Sequence, residues 1–218
     1  PGWAEVAIGV LVFVIVGFLG GAMWAQSDLD PILVGLILTA WTGIAGLVAF
    51  AAAALLRIRK WSAFGIRAVS VRWLLIGAGM GLLAFAAKGI AVIAFTALTG
   101  QADSPQTIFA LGASGGLGMA LLATVFLGIL TPIGEEFLFR GVLANALLRY
   151  GPIPGVLGSA VIFALLHGIN IVFPAALVAG IVAGEIFRRS GSVWPAVMVH
   201  VVFNLPTIPI MLLVSAAQ

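Results

Sequence analysis

The sequence contains no cysteine, so disulfide bonds, thiolate metal sites and cysteine nucleophiles are all excluded. Charge is scarce as well: 8% of the 218 residues are charged, and only seven residues are acidic. Soluble domains carry about 25% charged residues, so this composition excludes an ordinary soluble domain. Histidine occurs twice, which leaves few side chains for acid–base chemistry near neutral pH.

The chain is rich in apolar residues. Hydrophobic residues make up 63% of it, and its mean hydropathy is +1.27. Several runs reach the roughly 20 residues that a helix needs to cross a bilayer. We therefore predict one membrane domain over residues 1–218, an all-α polytopic transmembrane bundle of about seven to eight spans with a polar site inside it.

The apolar runs predict helices near residues 3–25, 32–56, 73–98, 117–149, 156–167, 174–187 and 194–213, with a short helix at 107–113. Pro132 is expected to kink the fourth long helix or to divide it, which would raise the count to eight. Pro206 and Pro209 are expected to disturb the last turns of the seventh.

The distribution of charge predicts an orientation. At one end of the predicted helices lie Arg57, Arg59, Lys60, Arg67, Arg72, Arg149, Arg188 and Arg189, and at the other lie Asp28, Asp30 and Asp103. By the positive-inside rule the basic end is cytoplasmic, and we expect a multi-pass protein of a prokaryotic plasma membrane. Basic residues at helix ends are explained by topology, so we expect no nucleic acid partner.

An acidic pair inside an apolar run is the main candidate site. Glu135 and Glu136 are adjacent, and Arg140 follows four residues after the second. Ionisable groups are costly within a membrane, so each is a candidate functional residue. The i, i+4 spacing predicts a Glu136–Arg140 ion pair. Glu135 projects about 100° away around the helix, so we expect it to face a cavity.

The two histidines and one amide fall at a similar depth. At about 1.5 Å per residue, Glu135, His167 and Asn204 lie roughly 21–22 Å from the basic end, and His200 lies roughly 16 Å from it. His200 and Asn204 are four residues apart and share a helix face, and Phe163 has the same spacing to His167. Three helices therefore place rare polar residues in one layer.

Two hydrolytic chemistries fit this layer. In one, Glu135 is the general base for a water, His167 positions the water or shares its proton, and His200 and Asn204 donate hydrogen bonds to an oxyanion. In the other, His167, His200 and a glutamate bind Zn²⁺, which activates the water. The sequence has no H-E-x-x-H motif, and an amide is a poor zinc ligand, which favours the version without a metal or other cofactor.

A non-catalytic interpretation uses the same residues differently. Lys88 lies deep in the third predicted helix, where it must snorkel, face a wet cavity or pair with an acid. With Glu135 it could form a relay in a proton-coupled transporter or a membrane scaffold. The sequence has no internal repeat, which disfavours the transporter.

Three short motifs resemble a known family when taken in order. They are Glu135-Glu136-x-x-x-Arg140, Phe163-x-x-x-His167 and His200-x-x-x-Asn204, with Phe139-Arg140-Gly141 continuing the first. In a membrane chain this set resembles the signature of the CPBP (or Abi) family, the CAAX proteases and bacteriocin-processing enzymes. The resemblance spans residues 117–213, the predicted motif-bearing core helices.

This resemblance implies an intramembrane endopeptidase, similar to type II CAAX prenyl endopeptidases. Its partners would be the lipid bilayer and a membrane-embedded or membrane-tethered peptide substrate. By the same resemblance, Glu135 and His167 activate water, and His200 and Asn204 stabilise the oxyanion. The supporting residues would be Glu136, Arg140 and Phe163.

Overall fold

The computed structural model describes residues 1–216, which form helices joined by turns and contain no strand. The helices are α1 (Trp3–Ala25), α2 (Pro31–Leu56), α3 (Val71–Thr99), α4 (Thr107–Ala113), α5 (Leu117–Tyr150), α6 (Pro154–Leu165), α7 (Val172–Ser190), α8 (Val193–Asn204) and α9 (Thr207–Ala216).

Five segments are long and apolar enough to cross a membrane: α1, α2, α3, α5 and the α8–α9 segment Val193–Ser215. The shorter helices α6 and α7 pack among them. The prediction of an all-α polytopic bundle is therefore confirmed. The expected disturbance at Pro206 is also confirmed, because α8 ends before this proline and α9 begins after it, whereas Pro209 lies within the first turn of α9.

Of the two effects expected of Pro132, division of the fourth long helix does not occur, because α5 is continuous from Leu117 to Tyr150. A π-helical turn, Phe126–Leu130, lies just before the proline, and a second π-helical segment, Phe137–Ala144, follows the acidic pair. The wide turn accommodates a residue that has no N–H to donate. An eighth span from a break at Pro132 is thereby removed.

Glycines set the distance between α5 and α2. A Cβ on Gly134 would collide with the main chain of Gly43, and one on Gly43 would lie 2.7 Å from the carbonyl oxygen of Leu130. A Cβ on Gly46 would lie 2.9 Å from the amide nitrogen of Glu135. Small residues allow such close backbone contact in membranes. The acidic pair is thus held directly against α2.

A second close contact fixes α8. Cβ atoms on Gly77 and Gly81 of α3 would lie 2.5 and 2.6 Å from the carbonyl oxygens of Pro195 and Val199. The two backbones therefore run in contact along this stretch. As a result, His200, next along α8, is presented to the bundle interior.

The basic residues gather at one end of the bundle, as the sequence predicts. Arg57, at the end of α2, contacts Glu5 of α1 through two hydrogen bonds of 2.7 and 2.9 Å. Trp3 donates to the Tyr150 hydroxyl at the end of α5 over 2.9 Å. The connection between α2 and α3 reaches α8, because Ser192 Oγ donates to the Arg67 carbonyl over 2.8 Å.

Candidate active site

One cavity of ≈ 280 Å³ collects the polar residues predicted from the sequence. Its lining includes Glu135 from α5, His167 from the turn after α6, and His200 and Asn204 from α8. Glu135 and His200 are buried, with 2% and 4% of their surfaces exposed, whereas His167 is half-buried. The structure therefore brings together all four polar residues that the sequence places at a similar depth.

His167 does not lie on a helix, contrary to the expected bounds of 156–167. Helix α6 ends at Leu165, and His167 occupies the turn that follows. Asn170 holds this turn: its amide donates to the His167 carbonyl over 2.9 Å, and its side-chain oxygen accepts from the Val172 N–H at 2.8 Å. Asn170 is not among the residues predicted from the sequence, although its position just before the first turn of α7 is one that favours asparagine.

The Glu136–Arg140 ion pair forms as predicted and lies outside the cavity lining. Glu136 Oε2 and Arg140 Nε are 3.0 Å apart, and neither side chain has any exposed surface. Arg140 Nη2 donates to the carbonyl of Gly180 in α7 over 3.1 Å. The guanidinium also lies over the Phe163 ring, 5.1 Å from its centroid. This buried pair joins α5 to α6 and α7 behind the site.

Glu136 has a second partner that the sequence did not predict. His200 Nδ1 lies 2.8 Å from Glu136 Oε1, so an ionised Glu136 accepts a hydrogen bond from the imidazole. The other ring nitrogen, Nε2, lies 3.9 Å from Glu135 Oε2, which is too far for a direct hydrogen bond. Glu136 therefore orients His200. His200 Nε2 and the Glu135 carboxylate remain able to form hydrogen bonds with a molecule in the cavity.

Phe163 packs against both histidines. Its ring meets the His167 ring edge-on at 4.7 Å and the His200 ring at 5.8 Å. Its carbonyl oxygen lies 2.9 Å from His167 Nδ1. A carbonyl only accepts, so Nδ1 of His167 carries a proton, and the neutral form of this imidazole has its free lone pair on Nε2.

The Asn204 amide is held by a main-chain carbonyl of α5. Its Nδ2 donates to the Leu127 oxygen over 3.2 Å. Leu127 belongs to the π-helical turn, in which a carbonyl pairs with the N–H five residues later. That residue is Pro132, which has no N–H. Asn204 therefore bonds to a carbonyl that the proline leaves without a π-helical partner, and it still has a second N–H at the cavity.

Lys88 lines the same cavity. Its Nζ lies over two aromatic rings, 4.3 Å from the Phe85 centroid and 4.8 Å from the Phe203 centroid. Within residues 1–216 no carboxylate oxygen comes within 4.0 Å of this ammonium group. Of the alternatives that the sequence left open, the structure matches the one in which Lys88 faces the cavity.

The residues present do not form a zinc site. A catalytic zinc ion takes three protein ligands at about 2.0–2.2 Å when they are histidines and carboxylates. In the part of the chain that the structure describes, no three His, Asp or Glu side chains are grouped closely enough to hold a metal ion. His200 Nδ1 is bonded to Glu136, and Nε2 lies 3.9 Å from Glu135 Oε2.

Residues 116–206 match a family model described as type II CAAX prenyl endopeptidase Rce1-like. The matched region begins just before α5 and contains all three motifs and the cavity residues that they supply. This match agrees with the resemblance of the three motifs to the CPBP family. Comparison with curated proteins and with solved structures found no match. The residues of the three motifs line the cavity or support it from behind.

Proposed function

We propose that this protein is an intramembrane endopeptidase that hydrolyses peptide bonds of membrane-associated peptides with a water activated by Glu135 and His167. The observation that carries the proposal is the single cavity into which α5, α8 and the turn after α6 direct a carboxylate, two imidazoles and an amide. The remaining lining is largely apolar, and such a surface suits a peptide segment that arrives from the bilayer.

Glu135 is the proposed general base. It lines the cavity and, unlike Glu136, is not paired with Arg140 in the ion pair. Its carboxylate takes a proton from a water molecule, whose oxygen then attacks the carbonyl carbon of the scissile bond. His167, with a free lone pair on Nε2, accepts a hydrogen bond from the same water and orients it.

His200 and Asn204 are the proposed donors to the oxyanion. In the charged imidazolium form, His200 donates from Nδ1 to Glu136 and from Nε2 to the tetrahedral oxygen. Glu136 then carries two cationic neighbours, Arg140 and His200. The second N–H of the Asn204 amide supplies another hydrogen bond. Donors fixed in advance in a water-poor site stabilise a developing oxyanion most effectively.

Collapse of the tetrahedral intermediate completes the reaction. The carbon–nitrogen bond breaks, and the proton held by Glu135 passes to the leaving nitrogen. The products are a new carboxyl terminus and a new amino terminus, and Glu135 returns to its ionised form. One water is consumed per bond, and no oxidant, reductant or metal enters the balance.

The proposal is tested with a single-span reporter peptide reconstituted with purified protein and analysed by mass spectrometry. Glu135→Gln keeps the shape of the side chain but removes the base, so we expect cleavage to fall at least about 100-fold. The matched control is Glu185→Gln, which removes a carboxylate from a partly exposed ion pair with Arg188 and Arg189.

We expect the Glu185→Gln variant to cleave like the unmodified protein, since exposed ion pairs contribute little to stability. Circular dichroism and gel filtration of both variants establish that they are folded. Cleavage by a folded Glu135→Gln variant at the rate of the control would refute the proposed mechanism. A pH-dependent ion flux without cleavage would instead favour the interpretation of this protein as a proton-coupled transporter.

A further inference from the structure

We propose that the active-site cavity opens toward the membrane face opposite the basic residues, so that its substrates are peptide segments presented from the non-cytoplasmic side. The part of this inference that concerns substrates rests on the proposed function. The direction in which the cavity opens is inferred from the fold alone. Three observations carry it: a packed layer on one side of the cavity, loop residues on the other, and the distribution of Lys and Arg.

The side of the cavity toward the basic end is closed. Every residue of α5 from Leu138 to Ala144 is buried. The Phe139 ring meets Phe163 edge-on at 4.9 Å and Phe13 of α1 at 5.4 Å. Below this layer, Phe64 of the basic α2–α3 connection has no exposed surface. A peptide arriving from the basic end would have to pass through this packed core.

The opposite side of the cavity is formed by the ends of helices and by loops. Pro105 and Gln106 come from the α3–α4 connection, Val172 from the first turn of α7, and Thr207 from the first turn of α9. His167, in the α6–α7 turn, is half-buried, whereas Glu135 has only 2% of its surface exposed. Exposure therefore increases from the acidic pair toward this face.

The distribution of Lys and Arg identifies which end of the bundle is cytoplasmic. The chain has ten Lys and Arg residues, of which Lys88 and Arg140 belong to the site; the other eight lie at the closed end. The connections on the open side carry none, and Asp28, Asp30 and Asp103 lie there. Cytoplasmic loops carry the excess of Lys and Arg, so the closed end is cytoplasmic. The open side therefore faces the exterior or an equivalent compartment.

The absence of cysteine makes a direct test possible. Three variants each introduce one thiol: Ala102→Cys in the exposed α3–α4 connection, Ala68→Cys in the exposed basic connection, and Thr207→Cys in the cavity lining. Each is expressed in cells, and sealed right-side-out and inverted vesicles are treated with a membrane-impermeant maleimide. A permeant maleimide reports the total reactive thiol, and the cysteine-free parent gives the background.

We expect the thiols at positions 102 and 207 to react in right-side-out vesicles, and the thiol at position 68 to react only in inverted vesicles. Reaction of position 207 from the same side as position 68 would overturn the proposal, as would its failure to react from either side. Reaction of position 68 in right-side-out vesicles would reverse the assignment of the faces and overturn it too. None of these measurements needs cleavage, so an inactive protein with this labelling pattern would refute only the proposed function.

A cleavage assay tests from which side of the membrane the substrate enters. Two reporters carry the same scissile segment next to one membrane anchor, on the cytoplasmic side in one and on the opposite side in the other. We expect cleavage of the second reporter to exceed that of the first at least about 10-fold. Equal cleavage, or preference for the cytoplasmic segment, would contradict the proposed route of entry even if the thiol labelling agreed.

Discussion

Replacement of Arg140 by methionine should destabilise this protein more than most single substitutions. The guanidinium and its partner Glu136 are both completely buried, 3.0 Å apart. Removing one member of a buried pair leaves an uncompensated charge and costs about 3–5 kcal/mol. His200 still donates to Glu136, and Arg140 Nη1 has no partner to lose, so we expect a loss near the lower limit of about 3 kcal/mol.

The assay is unfolding of the purified protein in mild detergent by titration with a denaturing detergent, followed by tryptophan fluorescence. The double variant Glu136→Gln/Arg140→Met removes both charges, so we expect it to regain much of the lost stability while staying inactive, because His200 loses its carboxylate. Arg188→Met is the control, because its ion pair is partly exposed and should contribute less than about 1 kcal/mol.

A loss below about 1 kcal/mol for Arg140→Met would refute the reasoning, since it would mean that the pair is solvated or that the helix rearranges. Strictly additive losses in the double variant would contradict it as well, because contacting charges must couple.

Three further predictions concern packing and the cavity. Gly134→Ala should destabilise the fold by about 1–3 kcal/mol or more in the same titration, because its methyl group meets the Gly43 main chain, whereas Gly79→Ala, with open space around it, should not. Lys88→Met should lower kcat/KM on the order of 10-fold in the reporter assay, and Lys88→Arg should retain it, because a cation in the cavity stabilises the oxyanion. Asn204→Ala should lower kcat about 100-fold and also destabilise the fold by about 1 kcal/mol, because a main-chain carbonyl loses its donor.

Much of the helical framework could be predicted because membrane helices are marked by long apolar runs between polar connections. The predicted short helix at 107–113 agrees with α4, and the limits of α1 to α3 differ by at most two residues from those expected. The continuity of α5 through Pro132 was not predictable, because a proline marks a missing hydrogen bond but not the way in which the helix adapts. A π-helical turn lets α5 continue, and local sequence carries no clear sign of it.

The composition of the candidate site was also predictable, because polar residues are rare in an apolar chain and their depths can be counted. Glu135, His167, His200 and Asn204 do line one cavity. What counting cannot give is the direction of a side chain. The hydrogen bond from His200 to Glu136 depends on the rotation of α8 against α5, which the close packing of α3 on α8 sets. No spacing within a single motif contains that information.

The most direct test of the central claim combines metal analysis with activity. Protein purified through a strong chelator is analysed for bound metals and then assayed for reporter cleavage, next to Glu135→Gln treated identically. A protein that works by a carboxylate-activated water should contain far less than one metal per chain, cleave at the untreated rate, and lose cleavage in the variant. About one zinc ion per chain before treatment, with cleavage lost on chelation and restored by zinc, would contradict the account and make the histidines metal ligands.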